Sequence, residues 1–452
     1  MDKNKNYFFC GIGGIGMSGL AKIMAETGFS VFGSDMNESP IIESLRKIGV
    51  KVYIGHKAEN LKGSDVFVYS AAIPKSNPEF IEAKEKGLEI LSRSKFLGLL
   101  MKEKRGIAVS GTHGKTTTST MLSVVLEESG FDPTIVVGGE VGNIGGNAKT
   151  GQGEYFVAEA CEYERAFLDL YPYGAIITNI EADHLDTYKD LDDIKEAFQK
   201  FVTQVNKGGF LVVCSEDKNT LNLKNFYKGK TVTYGFSEAD FVAEEIRVEG
   251  HKTFFEVKKN KNYYDSFELI IPGSHNILNA LSVIATADYL GVDASAVKKS
   301  LARFTNAKRR YEIKGKKDGV LVIDDYAHHP TEIRATLAGI IDFYPEKKIW
   351  AVFQPHQYSR TRLLFEDFSE SFKGIHKVII PDIYEARDTE DDKKAVTSKM
   401  LAEAINNKSN NAEYIGKFSD VVQYLKENVR SGDLVLTVGA GPVYKIADKF
   451  LI

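Results

Sequence analysis

The chain has few cysteines, no long apolar run and no excess of positive charge among its 452 residues. Its three cysteines lie far apart and are odd in number, which argues against a disulfide framework or a clustered metal site and favours a reducing compartment. No run of about 18 apolar residues occurs, so no membrane span is expected. The net charge of -4 gives no electrostatic reason to expect nucleic acid or an anionic membrane as a partner.

A secretory signal is also missing. Lys3 and Lys5 precede the apolar stretch 7–10, but residues 11–19 hold five glycines and would form a poor apolar helix. We therefore expect a cytoplasmic protein that is either a monomer or a homodimer.

The chain does contain a repeated alternation of short apolar strands and helical segments. Its content of 43% hydrophobic and 27% charged residues is that of ordinary globular proteins. At roughly 150 residues per domain, the length predicts three α/β domains, which we place at residues 1–103, 104–308 and 309–452. The first and third are expected to be Rossmann-like. The central one is expected to be a parallel sheet like that of P-loop ATPases, with a small antiparallel insertion between residues 240 and 272.

The clearest motif is the loop 110–118, SGTHGKTTT, which follows an apolar run and precedes a helical pattern. Strand, glycine loop and helix is the geometry in which backbone N–H groups and a helix N-terminus converge on a phosphate. Lys115 supplies a charge for the terminal phosphates, and Thr116 supplies a hydroxyl for Mg²⁺. Only two residues separate Gly111 from Gly114, where the usual motif has four. A simple Gly-Lys turn is the alternative, and the coincidence of all these features favours a nucleotide phosphate.

Two acidic strand ends point to the same edge of the predicted central sheet. Glu159 ends one apolar strand, and the next strand, 175–179, runs into the acidic stretch 180–186 that contains His184. A carboxylate at a strand end is the form that a Mg²⁺-holding acid takes in phosphate-loop enzymes. A lone histidine is more often structural, but His184 at this edge becomes a candidate metal ligand. The glycine-rich stretch 138–153 is expected to be an irregular loop that closes over substrate.

The first domain opens with a fingerprint for a diphosphate. The sequence GIGGIG at residues 11–16 follows a strand, and Asp35 ends the next strand, as in the Gly-x-Gly-x-x-Gly turn of dinucleotide folds. Any diphosphate suits such a turn, so the motif alone does not select NAD. Ser70 and Ala71 follow another strand, at the edge where open α/β sheets bind ligands. An ordinary βα turn is an equal alternative for that stretch.

The last third of the chain repeats the alternation of strands and helices. Two polar stretches, DDYAHHP at 324–330 and QPHQYSRTR at 354–362, follow its first two strands. Histidine, arginine and tyrosine concentrated at carboxyl ends favour a surface that binds anionic groups over a solvated loop. The predicted strands are 320–324, 349–353, 378–380 and 434–438.

Five motifs, taken in order, resemble the muramyl ligases of peptidoglycan synthesis. They are GIGGIGMSGLA from Gly11, GTHGKTTT from Gly111, NIEADH from Asn179, GSHN from Gly273 and DDYAHHPTE from Asp324. The resemblance spans essentially the whole chain, and five linked motifs are far more specific than any one. It implies a first domain that holds a UDP-sugar, a central domain that holds ATP and Mg²⁺, and a third domain that recruits an amino acid.

Within this family, the motifs most resemble members that ligate L-alanine to the carboxylate of UDP-N-acetylmuramate in cytoplasmic peptidoglycan precursor synthesis. ATP must first convert that carboxylate into an acyl phosphate, so such an enzyme needs positioning and charge neutralisation more than a nucleophile. The alternative is a recycling ligase that attaches a ready-made tripeptide to the same sugar nucleotide. A nicotinamide oxidoreductase would leave the Lys115 loop unused, and a nucleotide switch or motor would leave the first domain unexplained.

The resemblance also implies roles for single residues. Those implied as catalytic are Lys115, His184, Arg360, His356 and His329, with His328 beside the amino-acid pocket. Those implied in ATP binding are Gly111, Thr112, His113, Gly114, Lys115, Thr116, Thr117, Asn276, Arg310 and Asp325. Those implied in UDP-sugar binding are Gly11, Gly13, Gly14, Gly16, Asp35, Ser70 and Ala71. The implied metal ligands are Thr116, Glu159 and His184.

The chain departs from the family pattern at three places. Residues 161–164 read Cys-Glu-Tyr-Glu, where many members have the acidic run Asp-Glu-Ser-Asp. Gln357 stands where an arginine is frequent, which removes one cation from the expected amino-acid pocket. Pro442 stands where Asp or Asn is usual.

Overall fold

Three β-sheets with flanking helices make up the structure, a computed structural model that describes residues 1–184 and 187–452 apart from the side chain of residue 143. The last two residues of the acidic stretch 180–186 therefore lie outside the described residues. Within the described ranges, no helix combines the length and apolar character needed to cross a bilayer. The chain divides into two compact units: Met1–Glu245 with Phe255–Phe267 and Leu278–Phe304, and Ile246–Phe254 with Glu268–Ile277 and Thr305–Ile452.

The first sheet has five parallel strands. Its elements are β1 (Asn6–Cys10), α1 (Ile15–Glu26), β2 (Ser30–Asp35), α2 (Pro40–Lys47), β3 (Lys51–Ile54), β4 (Val66–Tyr69), α3 (Pro78–Glu85), β5 (Glu89–Ser92) and α4 (Arg93–Met101). The strand order is β3-β2-β1-β4-β5, which confirms the Rossmann-like prediction. Tyr7 and Phe9 of the central strand enter one core and Phe8 and Cys10 enter another, because successive side chains of a strand point to opposite faces.

The second sheet has ten strands and carries the phosphate loop. Its elements are β6 (Arg105–Ser110), α5 (Lys115–Glu128), β7 (Thr134–Val141), β8 (Gly146–Lys149), β9 (Tyr155–Glu159), β10 (Gly174–Ile177), α6 (Leu191–Thr203), β11 (Phe210–Cys214), α7 (Lys218–Asn222), β12 (Lys230–Gly235), β13 (Phe241–Glu249), β14 (Lys252–Lys259), β15 (Asn262–Leu269), α8 (Ser274–Tyr289) and α9 (Ala294–Ala302). The order is β15-β14-β13-β12-β11-β10-β6-β9-β7-β8. Parallel neighbours flank β6 on both sides, so the loop leaves the middle of the parallel part.

Both margins of this sheet bear on the predictions. At one margin, β13, β14 and β15 are successive neighbours joined by two-residue turns, which makes them the predicted antiparallel insertion. At the other margin, the prediction of an irregular loop over 138–153 is wrong, because β7 continues to Val141 and pairs antiparallel with β8. Gly145 and Gly146 turn the chain with φ of 70° and 142°, which L side chains rarely adopt, so the glycines form a hairpin turn.

The third sheet has six strands. Its elements are β16 (Glu312–Lys317), β17 (Val320–Asp325), α10 (Pro330–Phe343), β18 (Ile349–Phe353), α11 (Tyr358–Leu363), α12 (Phe365–Ser369), β19 (Lys377–Ile380), α13 (Glu390–Ala395), α14 (Ser398–Ser409), β20 (Ala412–Tyr414), α15 (Phe418–Asn428), β21 (Leu434–Val438) and α16 (Tyr444–Leu451). The order is β16-β17-β21-β18-β19-β20, parallel except for β16. The four predicted strands form its middle, and β16 and β20 are edge strands that the sequence pattern did not indicate.

Candidate functional site

The phosphate loop has the backbone that its glycines predict. Gly111 and Gly114 have φ of 134° and 82°, in the region that favours glycine. A Cβ on Gly111 would collide with the hydroxyl of Thr178, and one on Gly114 would lie 2.6 Å from Asn279 Oδ1. Helix α5 begins at Lys115 with no side-chain cap on its first turn. Its N-terminal N–H groups and positive dipole end are therefore available to an anion.

The chain segment after β10 holds this loop in place. The backbone N–H of His113 donates to Asn179 Oδ1 at 2.8 Å, and the hydroxyl of Thr178 donates to the carbonyl of His113 at 2.6 Å. The N–H of Thr112 donates to the carbonyl of Asn179 at 2.9 Å. Asn179 begins the third of the five motifs, and here it fixes the loop that the second motif forms.

Lys115 is buried in an ion pair that the sequence reasoning missed. Its Nζ donates to Glu162 Oε1 at 2.8 Å and to the carbonyls of Gly111 and Thr112. Burial lowers the pKa of Lys115, but the charge of Glu162, with those of Cys161 and Glu159, outweighs it and raises the pKa above its ordinary value. The ammonium therefore stays charged in this pocket.

The predicted metal residues Thr116 and Glu159 are in direct contact. The hydroxyl of Thr116 donates to Glu159 Oε2 at 2.8 Å, and the N–H of Gly138 in β7 donates to the same oxygen at 3.1 Å. A Cβ on Gly138 would lie 2.5 Å from that oxygen, so a larger residue here would displace the carboxylate. The end of β9 thus presents its carboxylate beside the first turn of α5, as predicted from sequence.

The third predicted metal residue, His184, contacts Glu162. Its Nε2 lies 3.6 Å from Glu162 Oε1, and its ring centroid lies 5.1 Å from that of Tyr163. The other carboxylate oxygen, Glu162 Oε2, is buried and has no hydrogen-bond partner in the described part of the chain. Oxygen atoms of carboxylates and hydroxyls are the ligands that Mg²⁺ prefers, so this donor set and its unsatisfied oxygen suit a divalent cation.

Asn279 is a further residue that the sequence reasoning missed. Its Oδ1 accepts from the hydroxyl of Thr118 in α5 at 3.1 Å and lies against Gly114 of the loop. It follows Asn276 by three residues in α8, and residues three apart share one face of a helix. That spacing was the available signal. The amide of Asn276 itself donates to the carbonyl of Pro272 at 2.7 Å.

The first-sheet motif forms the predicted turn at the carboxyl ends of β1 and β2. The N–H of Gly13 donates to Asp35 Oδ2 at 2.9 Å, so Asp35 holds the turn. A Cβ on Gly11 would lie 3.4 Å from Ser70 Cβ, which places the end of β4 beside the turn. Gly14 is the N-cap of α1, and Ala71 follows Ser70. A Cβ on Gly16 would lie 2.8 Å from Arg93 Nη1, so a guanidinium that sequence reasoning did not select adjoins this turn.

A second cluster lies at the carboxyl end of β18. His356 stacks on Tyr384 with ring centroids 5.3 Å apart and meets His328 edge-on at 6.4 Å. Its Nδ1 lies 3.5 Å from a guanidinium nitrogen of Arg360. Burial, followed by the charges of Arg360 and Arg387, lowers the pKa of His356 to about 4. The imidazole is therefore neutral near neutral pH and can accept a proton.

The remaining predicted residues of this unit have structural contacts. His329 is the N-cap of α10, and its Nδ1 accepts from the N–H of Thr331 at 3.3 Å. Asp325, at the end of β17, is buried and accepts backbone N–H groups from Tyr311 at 2.7 Å and Ala327 at 2.8 Å. The guanidinium of Arg310 lies over the ring of Tyr326, 5.1 Å from its centroid. Burial raises the pKa of Asp325, and the charge of Arg310 opposes that shift.

Known proteins resemble this chain along its whole length. Three family descriptions match successive parts of the chain: "Mur ligase family, catalytic domain" over residues 6–105, "Mur ligase middle domain" over 109–287 and "Mur ligase, glutamate ligase domain" over 309–441. A UDP-N-acetylmuramate–L-alanine ligase of Caldanaerobacter subterraneus subsp. tengcongensis is 48% identical over 454 residues, covering 100% of this chain and 98% of the relative. The chain belongs to the Mur ligase family. It is therefore an ATP-dependent ligase.

Solved Mur ligases share the fold. A crystal structure of UDP-N-acetylmuramate-alanine ligase from Thermotoga maritima matches with a TM-score of 0.84 and 30% identity, covering 99% of this chain and 98% of that one. A murein peptide ligase from Psychrobacter arcticus matches with a TM-score of 0.71 and 25% identity, with the same coverage. The order of the three sheets in this Mur ligase is thus that of a known three-part architecture.

Proposed function

We propose that this Mur ligase joins L-alanine to the carboxylate of UDP-N-acetylmuramate with consumption of ATP, through an acyl phosphate, in cytoplasmic peptidoglycan precursor synthesis. The observation that carries the proposal is the grouping of Lys115, Glu162 and His184 next to the contact between Thr116 and Glu159. Phosphoryl transfer to a carboxylate brings two anions together, and this grouping offers the cation and the metal-binding oxygens that such a step needs. The relatives named above support the identity of both substrates.

Each of the three sheets receives one substrate in this proposal. Residues 1–103 hold the UDP-sugar, with the pyrophosphate at the turn 11–16. Residues 104–308 hold ATP at the loop 111–117, where backbone N–H groups and the start of α5 suit phosphates. Residues 309–452 recruit the amino acid, and the roles of Asn276, Arg310 and Asp325 in ATP binding stay predictions.

Mg²⁺ fits the central site. Thr116, Glu159 and His184 would hold it, and it would neutralise charge on the transferred phosphate. Lys115 neutralises further charge by leaving Glu162 for the terminal phosphates of ATP. Glu162 then remains beside His184 and fixes the orientation of its imidazole.

The amino-acid pocket is proposed around β18 and β17. Arg360 offers the bidentate geometry that a carboxylate requires. A neutral His356 can orient the attacking amine through a hydrogen bond, because its lowered pKa keeps the imidazole unprotonated near neutral pH. His328, which meets His356 edge-on, and His329 follow the end of β17 and are proposed to shape the same pocket.

A recycling ligase that attaches a tripeptide is the second candidate, since a murein peptide ligase shares the fold at 25% identity. The purified protein is incubated with ATP, Mg²⁺, UDP-N-acetylmuramate and either L-alanine or tripeptide, and the product mass and phosphate release are measured. We expect a product and phosphate with L-alanine only. A product with tripeptide only would establish the second candidate, and phosphate release without either product would reject both.

A further inference from the structure

The segment 384–388 is held against the start of α11 by Gln357. The backbone N–H of Gln357 donates to the carbonyl of Tyr384 at 2.9 Å, and its side-chain Nε2 donates to the carbonyl of Ala386 at 3.1 Å. Its neighbour His356 forms a bridge with Tyr384, and their rings are stacked. Gln357 is buried with a left-handed φ of 72°, so both its backbone and its side chain are committed to this segment.

Asp388 anchors the other end of the segment. One carboxylate oxygen accepts from the N–H and the hydroxyl of Ser359 at 3.0 and 3.1 Å, and the other accepts from the N–H of Ala386 at 3.0 Å. Arg387 lies between these two anchored residues. Its backbone has a left-handed φ of 62°, which costs free energy for a residue other than glycine and persists only where neighbours fix it.

The side chain of Arg387 is exposed, and its backbone lies between Ala386 and Asp388, which bond to Gln357 and Ser359 at the start of α11. Burial lowers the pKa of His356 most, the charge of Arg360 lowers it next, and the charge of Arg387 lowers it third. The charge of Asp388 raises it. Two guanidinium groups therefore act on one imidazole at the end of β18. Gln357, in the position where family members frequently have arginine, contributes no charge of its own.

We propose that Arg387 supplies the second cation for the carboxylate of the amino-acid substrate, and that Gln357 is a positioning residue which holds the segment 384–388 so that this guanidinium serves the pocket. The inference rests on the proposed ligation of an amino acid and concerns how that amino acid is recognised. An arginine at residue 357 would place the cation on α11, whereas this chain places it on the facing segment. Paired guanidinium donors bind a carboxylate with more hydrogen bonds than one alone.

The first test removes the cation of Arg387 and then introduces a cation at residue 357. In the complete enzyme with ATP, Mg²⁺ and UDP-N-acetylmuramate, Arg387→Ala should raise the KM for L-alanine about tenfold, because an exposed cation is partly screened by water. The KM for ATP and kcat should stay within about twofold. Adding Gln357→Arg to Arg387→Ala should lower the KM for L-alanine again, since the pocket regains a cation from α11.

The second test separates positioning from general damage. Gln357→Leu removes the side-chain bond to Ala386 and should raise the KM for L-alanine, with kcat preserved. If Gln357 acts through Arg387, then Gln357→Leu combined with Arg387→Ala should be no worse than Arg387→Ala alone. Multiplied effects in the double variant would overturn the positioning role.

Arg362→Ala is the matched control. Arg362 lies on the same helix as Arg360 and is bonded to Asp392 at the surface, so its loss should leave both KM values unchanged. An unchanged KM for L-alanine in Arg387→Ala, or a changed KM for ATP instead, would overturn the inference while wild-type ligation still stood. A wild-type enzyme that forms no product with L-alanine would instead reject the proposed function.

Discussion

The charged side chains of this Mur ligase are arranged differently in its two polar clusters, the phosphate loop and the end of β18. At the phosphate loop, the buried Lys115 ammonium is matched by the buried carboxylate of Glu162, 2.8 Å away. At the end of β18, the charges of Arg360 and Arg387 help to keep the partly buried imidazole of His356 neutral. The cation of the first cluster is paired with an internal carboxylate, and the second cluster is biased toward cations.

This difference suits two different ligands. ATP is a polyanion that arrives with metal ions, so a lysine stored on an internal carboxylate can exchange that partner for phosphate while the helix N-terminus adds attraction. An amino acid brings one carboxylate and an amine that has to lose its proton. A cationic pocket with a neutral histidine binds the carboxylate and disfavours a protonated amine.

The largest effect should come from removing the proposed metal ligands of the central cluster. Glu159→Ala and His184→Ala are each expected to lower kcat on the order of 10³-fold, because transition-state charge loses its electrostatic stabilisation. Both side chains lie at chain segments after strands, so far-ultraviolet circular dichroism should be unchanged. Glu154→Ala, in front of the same strand as Glu159 and paired with surface Arg105, is the control and should keep full activity. Normal turnover at saturating Mg²⁺ in either variant would remove that residue from the site.

The next largest effect tests the cationic cluster. Arg360→Ala should raise the KM for L-alanine, with a loss of about 2 to 5 kcal/mol if the pair with the carboxylate is buried, and should leave the KM for ATP nearly unchanged. Steady-state kinetics with each substrate varied separately measure both terms. Arg362→Ala again serves as the control. If the KM for ATP changed and the KM for L-alanine did not, Arg360 would belong to the nucleotide site.

Much of this comparison could be predicted from the sequence, because its main parts are local. The loop 111–114 and the turn 11–16 depend on glycines whose backbone needs are independent of distant residues. Parallel strands buried on both faces appear as apolar runs, and residues after such runs lie at the ligand edge of a sheet. Glu159 beside Thr116 followed from that placement alone.

What the sequence could not provide was the pairing that depends on distant chain segments. Glu162 pairs with Lys115 across 47 residues of sequence. The chain just after it turns through positive φ of 51° and 56° at Glu164 and Arg165, which no residue type there indicates. Asn279 contacts Gly114 through the placement of α8, and the segment 384–388 meets Gln357 through the packing of the third sheet. The hairpin at 138–153 was mistaken for a loop because glycines also occur in tight turns between strands.

A smaller effect should follow from unbalancing the first cluster. Glu162→Gln leaves Lys115 buried without its carboxylate, and breaking a buried pair from one side should cost about 3 kcal/mol in free energy of unfolding. Denaturant melts measure this loss, and Glu249→Gln, which removes an exposed pair with Arg247, should cost well under 1 kcal/mol. A non-hydrolysable ATP analogue should raise the melting temperature more in Glu162→Gln than in the wild type, since its phosphates replace the missing anion. Equal shifts of the melting temperature in both proteins would contradict the proposal that Lys115 leaves Glu162 for the phosphates of ATP.

The smallest effect concerns the neutral histidine of the second cluster, and its sign can be worked out from the pKa. His356 has a folded pKa of about 4, below the ordinary value of 6.5, so between these values the unfolded chain binds a proton that the folded chain does not. The wild type should therefore lose stability as the pH falls from 6.5 toward 4, by at most about 3 kcal/mol relative to His356→Gln, and the difference between the two should be constant above pH 7. Urea melts of both proteins at a series of pH values measure the difference directly. A difference in stability that stays constant down to pH 4 would mean that the pKa of His356 is the same in the folded and unfolded chains. The second cluster would then not keep this imidazole neutral.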